Sequence, residues 1–145
     1  MNTVLGVVGS ALVFWASLSS ATADQTVAGE YHGIYAYCKG AYPCTEEDFV
    51  RTKNRPPEKR NDIALKLWQE DEEWMAVFSP PAYWKNFHEP KKAHYVDVDG
   101  NDILFKVARP SDAKTLVMKG VVEDGVYNGK IEYNGYIMHG RMTRN

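Results

Sequence analysis

The chain has little that covalent catalysis could use. Beyond residue 23 it holds two serines, Ser79 and Ser111. Ser79 precedes Pro80, Ser111 falls in the loop "PSDA", and no G-x-S-x-G turn is present. There is no H-E-x-x-H and no glycine-rich loop with phosphate-binding spacing. The four histidines, His32, His88, His94 and His139, lie in four different segments, so spacing supports no metal site. No metal and no cofactor is expected. An excess of one charge is lacking too. Lys and Arg total 17 against 19 Asp and Glu, a net charge of -2, which argues against a nucleic-acid partner. No apolar run is long enough for a comfortable membrane span.

One apolar run is present at the start. "VLGVVGSALVFWASL" is followed by small residues ending in Ala21-Thr22-Ala23. This is the pattern of a signal peptide over residues 1–23, cut after Ala23. The competing reading is an uncleaved anchor, because "MNT" carries no Lys or Arg. No Cys stands at the cleavage point, which argues against a bacterial lipid anchor. Residues 24–145 are then a single domain of ordinary size, secreted or periplasmic, with no stable membrane span after cleavage. In that setting the only two cysteines, Cys38 and Cys44, read as a disulfide. So short a bridge pins "KGAYP" rather than the whole fold. The spacing also lacks the C-x-x-C geometry of a redox dithiol.

The second half of the chain spells out hairpins. Asp124-Gly125 and Asn134-Gly135 supply the residues that two-residue turns require. The second turn opposes Tyr133 to Tyr136, Ile131 to Met138, Gly129 to Gly140 and Tyr127 to Met142. The first opposes Val122 to Tyr127, Gly120 to Gly129, Met118 to Ile131 and Leu116 to Tyr133. Both registers put the same residues on the same face, and a slip of one residue in either would destroy that agreement. Loop 110–113 extends the set with Val107–Leu116, Phe105–Met118 and Ile103–Gly120. A turn at Gly100-Asn101, with Asp99-Gly100 as its rival, adds Val98–Ile103, Val96–Phe105 and His94–Val107. A separate hairpin through "EDE" gives an inner face of Ile63, Leu65, Leu67, Trp74, Ala76 and Phe78. The first strand, "AGEYHGIYAYC", carries Gly29, Tyr31, Gly33, Tyr35 and Tyr37 on its inward face.

About eight short strands with regular turn signals predict an all-β fold: one small eight-stranded up-and-down barrel, with one short helix and one disulfide. Thr45 followed by Asp48 caps that helix, and Pro56-Pro57 ends it. A secreted eight-stranded meander with a Gly/aromatic first strand and an Arg-containing last strand resembles the calycins, of the lipocalin and avidin type. The likeness is topological. The lipocalin G-x-W signature is absent, with "GEY" (29–31) in its place, so no binding residue is carried over. Gly120, Gly129 and Gly140 fall side by side on the inner face. Three reasons compete: curvature, room for a bulky ring, or room for a ligand.

The candidate binding residues are Tyr83, Trp84, Phe87, His94, Tyr127 and Tyr133. The first three lie in "SPPAYWKNFHEPKK" (79–92), a connection with too much aromatic surface for a plain link. It reads as a cover for outer-face Trp68, Met75 and Val77, as a lid over the barrel mouth, or as a docking face. His94 is expected inward near a strand end, either as a polar anchor or acid/base, or as a histidine capping the core edge. Tyr127, Tyr133 and Tyr136 are expected inward where the barrel opens, since their hydroxyls need partners. Lys119, Lys130, His139 and Arg141 fall on the outer face, as a solvated surface or a seat for an acidic partner. The resulting expectation is a non-enzymatic binding module. It holds a small apolar ligand in the barrel, or docks and inhibits a protein partner such as a hydrolase. The alternative is a small cavity enzyme in which His94 and Tyr133 transfer protons.

Overall fold

Two turns set the second half of the sheet. Asp124 and Gly125 have φ of 51° and 74°, and Asn134 and Gly135 have 51° and 81°. These left-handed pairs match the twist of adjoining strands. The computed structural model describes residues 27–84, 89–108 and 114–145. Residues 1–26, which include the expected signal peptide, lie outside the described residues, as do Phe87 and His88.

The strands are β1 (Gly29–Tyr37), β2 (Asp62–Glu70), β3 (Glu73–Ser79), β4 (Lys91–Lys92), β5 (Tyr95–Asp99), β6 (Asp102–Ala108), β7 (Thr115–Glu123), β8 (Val126–Tyr133) and β9 (Tyr136–Arg144). One helix, α1 (Glu46–Lys53), and a 3-10 turn at Pro57–Lys59 lie between β1 and β2. All nine strands form one antiparallel sheet in the order β4-β3-β2-β1-β9-β8-β7-β6-β5. The sheet is strongly curled. Its two edges, β4 and β5, are consecutive pieces of chain: Ala93 donates its N–H to the Ala76 carbonyl of β3, and His94 donates to the Lys106 carbonyl of β6. The segment 91–99 thus bridges both edges. Counted as one bent strand, it restores the eight strands of the sequence reading.

The registers agree with those read from the turns. Gly129 opposes Gly140, Met118 opposes Ile131, Phe105 opposes Met118 and Val96 opposes Phe105. Leu116–Tyr133 and His94–Val107 fall one step beyond the paired ladders. The β2–β3 connection is tighter than expected. Glu70 pairs with Glu73, and the turn is Asp71-Glu72 alone, both with positive φ.

The concave face is packed. Tyr31, Tyr35, Leu65, Phe78, Phe105, Met118, Tyr127, Ile131, Met138 and Met142 are all buried in one cluster. The glycine row has its reasons there. A Cβ on Gly120 would run into the Asn128 carbonyl and the Gly129 Cα of the next strand, and one on Gly33 into the Arg141 backbone. At Gly129 it would meet the Tyr127 ring at 2.7 Å, and at Gly140 the Met118 Cε at 2.6 Å. Close backbone approach explains Gly33 and Gly120; room for neighbouring side chains explains Gly129 and Gly140. The space in front of the row is occupied by the protein's own atoms.

The two ends of the sheet differ. Two-residue turns at 71–72, 100–101 and 124–125 gather at one end, where the Tyr31 hydroxyl donates to the Val27 carbonyl at 2.6 Å. The long connections 38–61 and 80–90 leave from the other end, with the 134–135 turn. No helix among the described residues is long and apolar enough to cross a membrane.

Candidate functional site: the loop-bearing end

Pro80 and Pro81 end β3 and turn the chain back across the opening. The indole of Trp84 then lies on two residues of the inner face. It stacks on Tyr133 with centroids 6.0 Å apart and meets Tyr35 edge-on at 5.4 Å. Trp84 is half-buried and joins the edge of the main core. This is the packing of a lid over the mouth, not of a cover over the outer-face Trp68–Met75 pair.

A directional hydrogen-bond chain fixes the lid. An indole N–H can only donate, and that of Trp84 donates to the Tyr35 hydroxyl at 3.0 Å. The Tyr83 hydroxyl donates to Asn61 Oδ1, which uses its only proton. The 2.8 Å contact between the two tyrosine hydroxyls is therefore a donation from Tyr35 to Tyr83. The chain ends at Asn61, fully buried before β2, whose Nδ2 has no partner among the described residues. Burial first, and then the Tyr83 hydroxyl, push the Tyr35 phenol far above its ordinary pKa, so it stays a neutral donor.

Around the lid the aromatic surface continues outward. Tyr37 meets Tyr35 at 5.6 Å and Tyr136 at 6.2 Å, both edge-on. Tyr37, Tyr83 and Tyr136 are 43%, 41% and 60% exposed, and Ile137 beside them is exposed too. Tyr37 and Tyr136 were expected inward. They stand at strand ends, where the sheet stops and the side chains project past the packed interior. Together with Trp84 they make a continuous aromatic rim.

The other candidates separate. Tyr127 is fully buried at the turn-bearing end, edge-on to Tyr31 at 6.4 Å, with its hydroxyl on the Ile103 carbonyl at 3.4 Å. It belongs to the interior and not to the opening. His94 was expected on the inner face, yet it is exposed. The chain bends at His94 itself; Ala93 takes the buried position, and His94 is left on the flank of a cleft between β3 and β5. Tyr133, its proposed partner in proton transfer, stacks instead on Trp84. Phe87 lies outside the described residues.

The outer face holds what the sequence reading missed. His139 points outward as expected, but it is buried. The disulfide Cys38–Cys44 and α1 fold over it. Thr45 and Asp48 form the expected capping box: the Asp48 N–H donates to Thr45 Oγ1, and the Thr45 N–H donates to Asp48 Oδ2 at 3.0 Å. That backbone donor, more than neighbouring Arg51, holds the Asp48 carboxyl below its ordinary range. The cap aims Phe49 at His139, 4.8 Å away, with the Arg141 guanidinium 4.0 Å over the Phe49 ring. The Cys44 N–H donates to His139 Nδ1 at 3.2 Å, so the ring proton is on Nε2, which donates to Asn128 Oδ1 at 2.9 Å. Burial, helped by Arg141, lowers the His139 pKa to about 4. The signal for this cover was available in Cys44-Thr45-x-x-Asp48, which ties the bridge directly to the helix.

Among the described residues, one group of metal-type donors lies close together: atoms of Cys38, Cys44 and Asp48 within 4.8 Å of one another. The sulfurs are bonded to each other and Asp48 caps α1, so the arrangement is committed to structure. No family model matches the chain, and no curated protein matches its sequence. Among solved structures, it is similar to secretory abundant heat soluble protein 4 from Ramazzottius varieornatus, at 17% identity and a TM-score of 0.45, over 81% of this chain and 94% of that chain. It is also similar to a mutant of the fluorescent protein UnaG, at 10% identity and a TM-score of 0.45, over 83% of this chain and 96% of that chain.

Proposed function

We propose that the chain is a secreted or periplasmic, non-enzymatic binding module that docks a protein partner through the aromatic rim of its loop-bearing end. The observation that carries this is the rim itself: Tyr37, Tyr83 and Tyr136 stand exposed around a Trp84 lid that is anchored to the core. Rigid, amphipathic tyrosines are favoured interface anchors because they bring large contact area at little entropic cost. Two features support a partner outside over a small apolar ligand inside. The concave face is filled by its own side chains, and the glycine row has no open space in front of it. The exported compartment rests on the apolar leader with its A-x-A end and on the Cys38–Cys44 pairing. The separation of His94 from the core edge removes the support for proton-transfer chemistry in a barrel cavity.

The test is affinity capture from the exported fraction, with proteins and small molecules both identified by mass spectrometry. Wild type is compared with a Tyr37→Ser/Tyr136→Ser variant. A protein retained by the first and lost by the second supports the reading. A small molecule retained equally by both would replace it with the internal-ligand reading.

A further inference from the structure

Among the described residues, the curled sheet is left without a ladder at one place. β4 pairs with β3 only at Val77 and Phe78, and β5 pairs only with β6. Beyond the bond from Ala93 to Ala76, no ladder joins β3 to β5, and a cleft of about 780 Å³ opens between them. It lies toward the turn-bearing end, away from the Trp84 lid.

Hairpin geometry says which backbone groups face it. In a two-residue hairpin the residues flanking the turn bond to each other, and bonded pairs then alternate along the strands. Glu70 and Glu73 flank one turn, Asp99 and Asp102 the other. The backbones of Trp74 on β3 and of Val96 and Val98 on β5 therefore point into the cleft. The side chains of the same three residues are half-buried against the core. The cleft thus offers strand-type donors and acceptors beside an apolar wall. Its lining carries three carboxylates, Glu72, Glu73 and Asp97, against the single ammonium of Lys92. A second copy of β5 would bring Asp97 and Asp99 against their own kind, and like charges opposed across strands are unfavourable.

We propose that this cleft takes an extended peptide in which apolar and basic residues alternate, adding it as a strand to the β5 edge. Apolar side chains would meet Trp74, Val96 and Val98, and basic ones would reach Glu73 and Asp97. Main-chain bonds supply the affinity of such strand addition, and alternate side chains supply its selectivity. The site is separate from the rim, so its failure leaves the docking reading untouched.

The probe is fluorescein-β-alanyl-Val-Lys-Val-Lys-Val-Lys-amide at fixed concentration, into which residues 24–145 are titrated while anisotropy is read. Two further peptides are N-methylated, one on the valines and one on the lysines. Saturable binding is expected, with one methylated peptide weakened by about tenfold or more, the loss of at least one backbone bond. Asp97→Lys should weaken the unmethylated peptide, and amide exchange at Val96 and Val98 should slow on binding. Binding that is equal for all three peptides would mean simple charge attraction and would overturn the proposal. So would the lack of saturation by about 1 mM.

Discussion

The indole N–H of Trp84 donates to the Tyr35 hydroxyl at 3.0 Å, and this bond ties the 79–92 connection to the first strand of the sheet. It makes Trp84 both a loop residue and an edge of the core. Trp84→Ala should lower stability by about 3 kcal/mol, because it removes a stacked ring and leaves a void on Tyr133. Trp84→Phe keeps the stacking and loses the donor, and should cost about 1 kcal/mol. Denaturant melts of the three proteins check this. An unchanged Trp84→Ala melt would mean that the loop does not rest on the mouth.

A second prediction separates the glycines by what their Cβ would strike. At Gly120 the obstacle is the backbone of β8, which cannot move without breaking the ladder. At Gly140 it is the flexible end of Met118. Gly120→Ala should cost about 3 kcal/mol or more, whereas Gly140→Ala should cost about 1 kcal/mol. Equal costs would contradict the close-approach account.

Acid should act through His139. Its folded pKa, about 4, is below the ordinary 6.5 of the unfolded chain. Between those values the unfolded state binds a proton that the folded state refuses. Stability is therefore full above about pH 6.5, falls as pH drops toward 4, and is not lost further by this group below that. The full span is worth about 3 kcal/mol. His139→Gln should be less stable than wild type at pH 7.5 yet lose less stability on going to pH 4.5. Parallel losses in the two proteins would sink the claim.

The bridge gives a smaller, local effect. Cys38→Ser should cost about 2 kcal/mol, the closure term for so short a loop. The acid sensitivity should change with it, since Cys44 supplies the N–H held by His139 Nδ1. Thiol labelling of unreduced, denatured protein should find no free thiol in the wild type.

Much of this fold could be read from turn dipeptides and alternation. Asn134-Gly135 and Asp124-Gly125 fixed registers that met on the same faces, and a ladder transmits such agreement from strand to strand. Asp71-Glu72 could not be read the same way, because Glu72, unlike the glycine of the other turns, does not signal positive φ. Alternation also failed where strands end. Tyr37 and Tyr136 keep the inward parity but have no interior left to point into. His94 was misread for a related reason, the bend at His94 itself. The outward side of His139 was legible, but its burial was not, because the cover comes from a helix about 90 residues away in sequence, held by long-range packing.

The central claim is that partners meet the rim. The most direct measurement is site-specific photocrosslinking in the exported compartment, with p-benzoylphenylalanine placed in turn at Tyr136 on the rim and at Lys119 on the outer face. The account predicts a discrete protein adduct from position 136 and none from 119. An adduct from 119 with none from 136 would contradict it.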